Sequence, residues 1–138
     1  MRTSLLLFVL FCFVSAKRDA NQKLKACCAR QKLADKECKK RFCGFDSINQ
    51  NNMLLFLNTC SPREETVKLM WDCASSRHDH RKCCERKKVL SACMPYCDSS
   101  HTVPADYLNH LVCLQNFDII RDCFRDHLDT NPNIFGDS

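Results

Sequence analysis

The chain has 138 residues, of which 45% are hydrophobic, and its formal net charge is +5 at pH 7. This length suits a single domain. The chain contains thirteen cysteines but only two glycines, Gly44 and Gly136. A disulfide-rich β-scaffold is therefore disfavoured, because its hairpin turns need residues with positive φ.

Residues 1–16 have the features of a secretory signal peptide. Arg2 provides a positive start, the stretch from Leu5 to Val14 is apolar, and Ala16 ends a run of small residues. A membrane anchor is the alternative, but this apolar run is too short to span a bilayer of roughly 30 Å. We therefore expect cleavage after Ala16 and a secreted protein without a transmembrane segment.

The mature chain, residues 17–138, is expected to form one disulfide-rich domain. Cleavage removes Cys12 and leaves twelve cysteines, an even number that indicates six disulfides in an oxidising compartment. Zinc binding is the alternative, but it requires reduced thiolates. The pairing stays open at this point, although adjacent cysteines rarely bond to each other. The framework spans residues 27–123 and consists of Cys27, Cys28, Cys38, Cys43, Cys60 and Cys73, followed by Cys83, Cys84, Cys93, Cys97, Cys113 and Cys123.

The two sets of six cysteines indicate a duplicated unit. Each set opens with an adjacent pair, and corresponding gaps differ by three residues or fewer. Asp72 precedes the last cysteine of the first set, and Asp122 precedes the last cysteine of the second. Coincidence is the alternative. Two such repeats would still share one core, since each alone buries too little apolar surface.

The first half predicts three helical stretches. The segment 35–43 is expected to be a short charged helix that Gly44 ends in a left-handed conformation. The segment 51–60 is predicted to be a helix or a buried turn. Ser61 is expected to cap the third helix, with Glu64 completing a capping box. The apolar face of that helix would consist of Val67, Met70, Trp71 and Ala74.

Two further helices are predicted in the second half. One begins near Pro104, and the other runs from about Phe117 until Asn131 and Pro132 end it. Apolar residues recur at helical spacing in both. The first has Tyr107, His110, Leu111 and Leu114 on one face, and the second has Ile120, Cys123, Phe124 and His127. The predicted fold is therefore an all-α, small, disulfide-rich helical domain with a pseudo-duplicated six-cysteine unit.

The cysteine framework resembles the DB module, a twelve-cysteine domain of unknown function in nematode secreted and cell-surface proteins. The resemblance also includes the stretch Arg77-His78-Asp79-His80-Arg81-Lys82 before the second cysteine pair and Met94-Pro95-Tyr96 between two later cysteines. It implies six disulfides and an extracellular setting, and it implies no catalytic residues. The chain is expected to be a free-standing secreted member of that family.

No catalytic residue and no cofactor is predicted. Secreted phospholipase A2 is similar in size, but its histidine follows a cysteine pair, where this chain has Ala29 or Glu85. The two glycines also do not suffice for its calcium loop. Ser76, His78 and Asp79 include the residue types of a hydrolase triad, but nothing marks a nucleophile elbow.

The histidines are interpreted as structural. His78 and His80 are possible metal ligands, but a good site needs three or four ligands. A polar loop that enters a helix is the favoured interpretation, with Asp79 near the helix N-terminus. His110 and His127 lie on apolar helical faces and are expected to be buried or half-buried.

Positive charge is concentrated in the first two thirds of the mature chain. Residues 17–97 contain eighteen Lys and Arg against nine Asp and Glu, whereas residues 98–138 contain two against seven. If the halves pack symmetrically, the basic residues could form one face that attracts acidic proteins, sulfated glycans or anionic lipid surfaces. Solvated helix faces are the alternative. The candidate binding surface is Lys39, Lys40, Arg41, Arg77, His78, His80, Arg81 and Lys82.

These features predict a secreted, non-enzymatic module that binds an extracellular protein. A basic membrane-active or host-defence effector is the first alternative, and a secreted lipid hydrolase is the second. Nucleic acid is not an expected partner, because the charge is mixed and the protein is expected outside the cell.

Overall fold

The computed structural model describes residues 17–138, so the predicted signal peptide, with Cys12, lies outside the described residues. Within that range the chain forms helices and no strand, with a single isolated antiparallel bridge between Asp79 and Asp98. The α-helices are α1 (Ala20–Arg30), α2 (Lys36–Phe42), α3 (Met53–Cys60), α4 (Thr66–Ser75), α5 (Arg81–Arg86) and α6 (Phe117–Thr130). A first 3-10 helix (Ser91–Tyr96) and a second 3-10 helix (Tyr107–Asn116) precede α6. The all-α prediction is confirmed. None of these helices combines the length and apolar character needed to cross a membrane.

The twelve cysteines form six disulfides, and the two halves share one connectivity. The bridges are Cys27–Cys73, Cys28–Cys43 and Cys38–Cys60 in the first half, and Cys83–Cys123, Cys84–Cys97 and Cys93–Cys113 in the second. In each half the first cysteine bonds to the sixth, the second to the fourth and the third to the fifth. This repeat of the pairing supports the duplicated unit, and adjacent cysteines bond to different partners, as expected. Since no bridge joins the halves, packing holds them together.

Helix α6 provides most of that packing. It belongs to the second half but lies against α1 and α4 of the first half. Its apolar face is buried, with Ile120 and Phe124 each 3% exposed and Leu128 fully buried. Trp71 of α4 packs its ring edge-on against Phe124, with centroids 5.4 Å apart. The two halves therefore share a cluster of buried apolar residues, and a second cluster packs Phe117 against residues of the first half.

Helix α4 begins later than the sequence predicts. Ser61 continues the end of α3, and its backbone N–H donates to the carbonyl of Leu57. Glu64 has a φ of 59°, which is not helical, so the expected capping box does not form. The helix begins at Thr66, whose buried hydroxyl donates to the carbonyl of Arg63. The prediction of Ser61 as the N-cap is wrong, because the chain turns between α3 and α4 over residues 61–65.

Two other helix boundaries also differ. Helix α2 ends at Phe42, and Gly44 does not adopt a positive φ, so the predicted left-handed cap is wrong. An added Cβ at Gly44 would lie 2.8 Å from Oγ of Ser47, so glycine provides space there. The helix expected near Pro104 begins at Tyr107 and is a 3-10 helix with a kink at His110. The predicted helix from Phe117 is confirmed.

Candidate functional site

The predicted binding residues lie in two segments of the fold. Lys39, Lys40 and Arg41 belong to α2, and the others belong to residues 77–82, which lead into and begin α5. Lys39 is partly engaged, since its ammonium donates to the carbonyl of Gln31. His80 is only 4% exposed, and its Nε2 lies 2.7 Å from the carbonyl oxygen of Ser75. Because a carbonyl only accepts, His80 is the donor in this bond. It does not contribute to an exposed binding surface.

Local carboxylates neutralise part of the positive charge. Arg81 forms a two-pronged ion pair with Asp79, with a shortest distance of 2.8 Å. The hydrogen bonds from Arg81 lower the pKa of Asp79 to about 2. By contrast, Lys82, Arg86 and Lys88 are exposed and have no carboxylate within 4 Å among residues 17–138. Part of the unpaired positive charge therefore lies along α5 and just after it.

Three histidines form a cluster behind this segment. The rings of His78 and His127 stack with centroids 4.2 Å apart, and His80 lies edge-on to both. Burial lowers the pKa of His80, while burial and the nearby charge of His78 lower the pKa of His127 to about 4. Stacked rings are typical of packing. No group of three His, Cys, Asp or Glu residues within 17–138 is arranged to hold a metal ion. His110 and His127 are both half-buried, as the sequence predicts.

An apolar cleft of about 490 Å³ is a prominent concave feature of residues 17–138. Helices α3 and α4 form one wall, and the segment 99–114 forms the other. The apolar lining includes Leu57, Val67, Trp71, Tyr96, Leu111 and Leu114. Sequence reasoning missed this cleft, because its walls come from elements far apart in the chain. The sequence signal that lies on the cleft is the predicted helical face with Tyr107, Leu111 and Leu114.

The back of the cleft contains hydrogen-bond donors. The indole N–H of Trp71 donates to Oγ of Ser99 at 3.1 Å, and the Trp71 ring packs edge-on against Tyr96. Burial raises the pKa of Tyr96 to about 12 and also raises that of Tyr107. Both phenols are therefore neutral at physiological pH. Neither hydroxyl is hydrogen-bonded to another residue of the described chain, 17–138.

One polar cluster stands on the wall of the cleft. Lys68 and Arg77 both approach the same oxygen, Oδ2 of Asp72, at 3.4 and 3.3 Å. The Asp72 side chain is 12% exposed, whereas those of Lys68 and Arg77 are 68% and 56% exposed. Two exposed cations therefore share one buried carboxylate, and the cluster has a net positive charge.

The cleft continues into exposed apolar surface. Leu54 and Leu111 line it and are 39% and 45% exposed. Leu108 and Val112 of the second 3-10 helix are also exposed. Clustered apolar side chains on a surface are typical of binding sites. The cleft is therefore the part of this fold best shaped to receive a ligand.

The comparison with protein-family models gives one match, the DB module, over residues 27–124. The matched range includes all twelve cysteines that form disulfides, together with all the lining residues of the cleft. No curated protein and no solved structure matches the chain.

Proposed function

The chain belongs to the DB module family, and we propose that it is a secreted, non-enzymatic binding module that uses a basic segment to hold an acidic extracellular protein. The family is a cysteine-rich domain without an established molecular function. We define the basic segment as the exposed cations Arg81, Lys82, Arg86, Lys87 and Lys88. Six disulfides are typical of proteins that fold in an oxidising compartment, which supports an extracellular location.

The observation that carries this proposal is a pair of cations, Lys82 and Arg86, that lie on a helix held by two disulfides and have no carboxylate within 4 Å among residues 17–138. Lys82 and Arg86 are four residues apart on α5 and therefore share a face. The two cysteines between them, Cys83 and Cys84, bond to Cys123 and Cys97. A helix fixed by two disulfides loses little conformational freedom on binding, so its charges are preorganised for a partner.

The alternatives have less support. Membrane-active proteins commonly use a long amphipathic helix with a cationic face, whereas α5 has six residues. Lipid hydrolysis most often uses a histidine that activates a nucleophile or a water molecule. His80 is instead occupied by the carbonyl of Ser75, and His78 stacks against His127.

Binding of the secreted protein to a panel of purified extracellular domains tests the proposal. Changing Lys82, Arg86 and Lys88 to Glu reverses three charges on the basic segment. Changing Lys25, Lys32 and Lys36 to Glu makes the same change in net charge at exposed sites outside the candidate binding surface and provides the matched control. We expect a saturable protein partner whose affinity falls at least about tenfold in the first variant only, with a strong dependence on salt.

Three outcomes would contradict this function. They are the absence of any saturable protein partner, an equal loss in both variants, and binding to heparin without binding to any protein. The last result would favour a sulfated glycan as the partner.

A further inference from the structure

We propose that the apolar cleft binds a single-chain amphipathic molecule with an anionic head group, of the class of long-chain carboxylates. This site is separate from the basic segment, so its failure would leave the function proposed above intact. The inference depends on the size of the cleft, on its apolar walls and on the charge of the cluster formed by Lys68, Asp72 and Arg77.

The dimensions fit a small ligand. A cleft of about 490 Å³ lies within the range of pockets that hold small molecules, roughly 300–1,000 Å³. Its walls are mostly aliphatic and aromatic, including Leu57, Val67 and Leu114. Such walls give no hydrogen bonds to a polar ligand body, but they remove an apolar chain from water. Burial of that chain provides the main part of the binding energy, about a fourfold gain in affinity for each CH₂ group buried.

The charged cluster determines which head group fits. Lys68 and Arg77 are donors only, and the one carboxylate of the cluster, Asp72, already accepts from both. An added carboxylate would therefore find two exposed cations that can turn towards it. An added ammonium would have to compete with both cations for Asp72. The phenols of Tyr96 and Tyr107 add neutral donors to the lining.

The single tryptophan of the chain makes the proposal directly measurable. Trp71 lines the cleft, and no other tryptophan contributes to the emission. We expect monomeric oleate, below its micelle concentration, to change the Trp71 emission saturably with a stoichiometry of one. Gel filtration of the protein with radiolabelled oleate confirms binding independently of fluorescence. Oleyl alcohol and oleylamine, with the same chain, should bind at least about fivefold more weakly if the cluster selects an anion.

Charge variants test the head-group site in both directions. Lys68→Gln or Arg77→Gln leaves the cluster neutral and should weaken oleate binding about five- to tenfold. Asp72→Asn raises its net positive charge and should strengthen binding. Lys82→Gln, on an exposed residue outside the cleft, is the matched control and should leave the affinity unchanged. If Arg77→Gln or Asp72→Asn folds poorly by circular dichroism, Lys68→Gln remains informative, because that side chain is mostly exposed.

A second pair of variants tests the apolar wall. Leu111 lines the cleft and is 45% exposed, while Leu90 is 43% exposed and lies outside it. Leu111→Asp should weaken oleate binding more than about tenfold, and Leu90→Asp should not change it.

The proposal is overturned if oleate produces no saturable change, if Leu111→Asp binds as well as Leu90→Asp, or if oleyl alcohol binds as tightly as oleate. Vesicles of phosphatidylcholine and of phosphatidylglycerol separate a free ligand from a lipid surface. Binding to vesicles without binding to monomeric oleate would also overturn the proposal.

Discussion

The ammonium of Lys23 lies 2.8 Å from the carbonyl oxygen of Leu128, and so joins the first helix of one half to the last helix of the other. The same ammonium donates to the carbonyls of Asp129 and Asn131, at 3.2 and 3.1 Å. In return, the carboxylate of Asp129 accepts from the backbone N–H of Ala20. Each helix therefore satisfies unpaired backbone groups at the end of the other. Lys23 is 2% exposed and contributes no charge to the protein surface.

This arrangement predicts that Lys23→Met destabilises the protein strongly. Methionine fills a similar volume but leaves three carbonyls at the end of α6 without their donor. Unsatisfied buried acceptors are costly, so we expect the free energy of unfolding to fall by about 2–3 kcal/mol. Lys25→Met, on the exposed side of the same helix, should change it by less than about 0.5 kcal/mol. Urea denaturation with the disulfides intact measures both, and equal effects would refute this role for Lys23.

The repeated connectivity predicts that corresponding disulfides contribute similar stability. Cys38–Cys60 and Cys93–Cys113 occupy the same place in the two halves and close loops of similar length, with separations of 22 and 20 residues. Loop-closure entropy alone predicts that each of these disulfides contributes about 3 kcal/mol to the free energy of unfolding. Replacing either cysteine pair with serines should therefore lower the free energy of unfolding, measured by urea denaturation, by the same amount to within about 1 kcal/mol. A much larger loss in one half would show that the two units, although equivalent in pairing, are not equivalent in folding.

The features that the sequence predicted correctly depend on local residue patterns or on the number and spacing of the cysteines. Apolar residues at helical spacing identified α6, because Ile120 and Phe124 had to share a buried face. The even number of cysteines and the spacing of the two sets indicated six bridges and a duplication. The partners within each set could not be assigned, since many pairings satisfy the same spacing.

The features that the sequence did not predict depend on contacts between distant residues. The start of α4 was misplaced because Thr66 is held by a contact with Asp35, whose backbone N–H donates to the Thr66 hydroxyl. Similarly, nothing in the local pattern distinguishes the buried Lys23 from the exposed Lys25. The cleft was missed because Trp71 and Leu111 face each other only after the two halves have packed together.

The histidine cluster predicts a loss of stability in mild acid. The pKa of His127 is about 4 in the folded protein, against an ordinary value of 6.5. Between these values the unfolded chain binds a proton that the folded protein does not, so stability falls as the pH decreases from about 6.5 to 4. His80, with a pKa lowered by burial, contributes in the same direction. The charge of His78 opposes protonation of both rings, and that of His80 opposes protonation of His127. Asp79 and Asp98 favour protonation of His80.

Substitution of His127 tests this window. Because His127 is half-exposed and solvent screens its interactions, we expect the loss to be about 1 kcal/mol between pH 7 and pH 4, and His127→Gln should reduce it. His101→Gln, at an exposed histidine outside the cluster, is the control. The carboxyl of Asp79 gives a separate loss at lower pH, as the pH falls from 3.8 to about 2. A pH profile of unfolding that is identical in the wild type and in His127→Gln would contradict the assignment.

Ser76, at the end of α4, has a strained backbone conformation, and we expect glycine at this position to remove the strain. Its φ is 59°, in the left-handed region, and its hydroxyl is buried without a hydrogen-bond partner among residues 17–138. Lys88 also has a left-handed φ, 61°, but its side chain is exposed. Glycine at either position removes the backbone strain. The greater conformational freedom of glycine in the unfolded chain offsets part of this gain in stability. Ser76→Gly also removes the unsatisfied hydroxyl.

We therefore expect Ser76→Gly to raise the free energy of unfolding by about 1 kcal/mol and Lys88→Gly by about half as much or less. Chemical denaturation measures the free energy of unfolding of both variants. The difference between them gives the cost of burying the Ser76 hydroxyl without a hydrogen bond. A neutral Ser76→Gly beside a stabilising Lys88→Gly would contradict this prediction. That result would show that the Ser76 hydroxyl forms a hydrogen bond in solution.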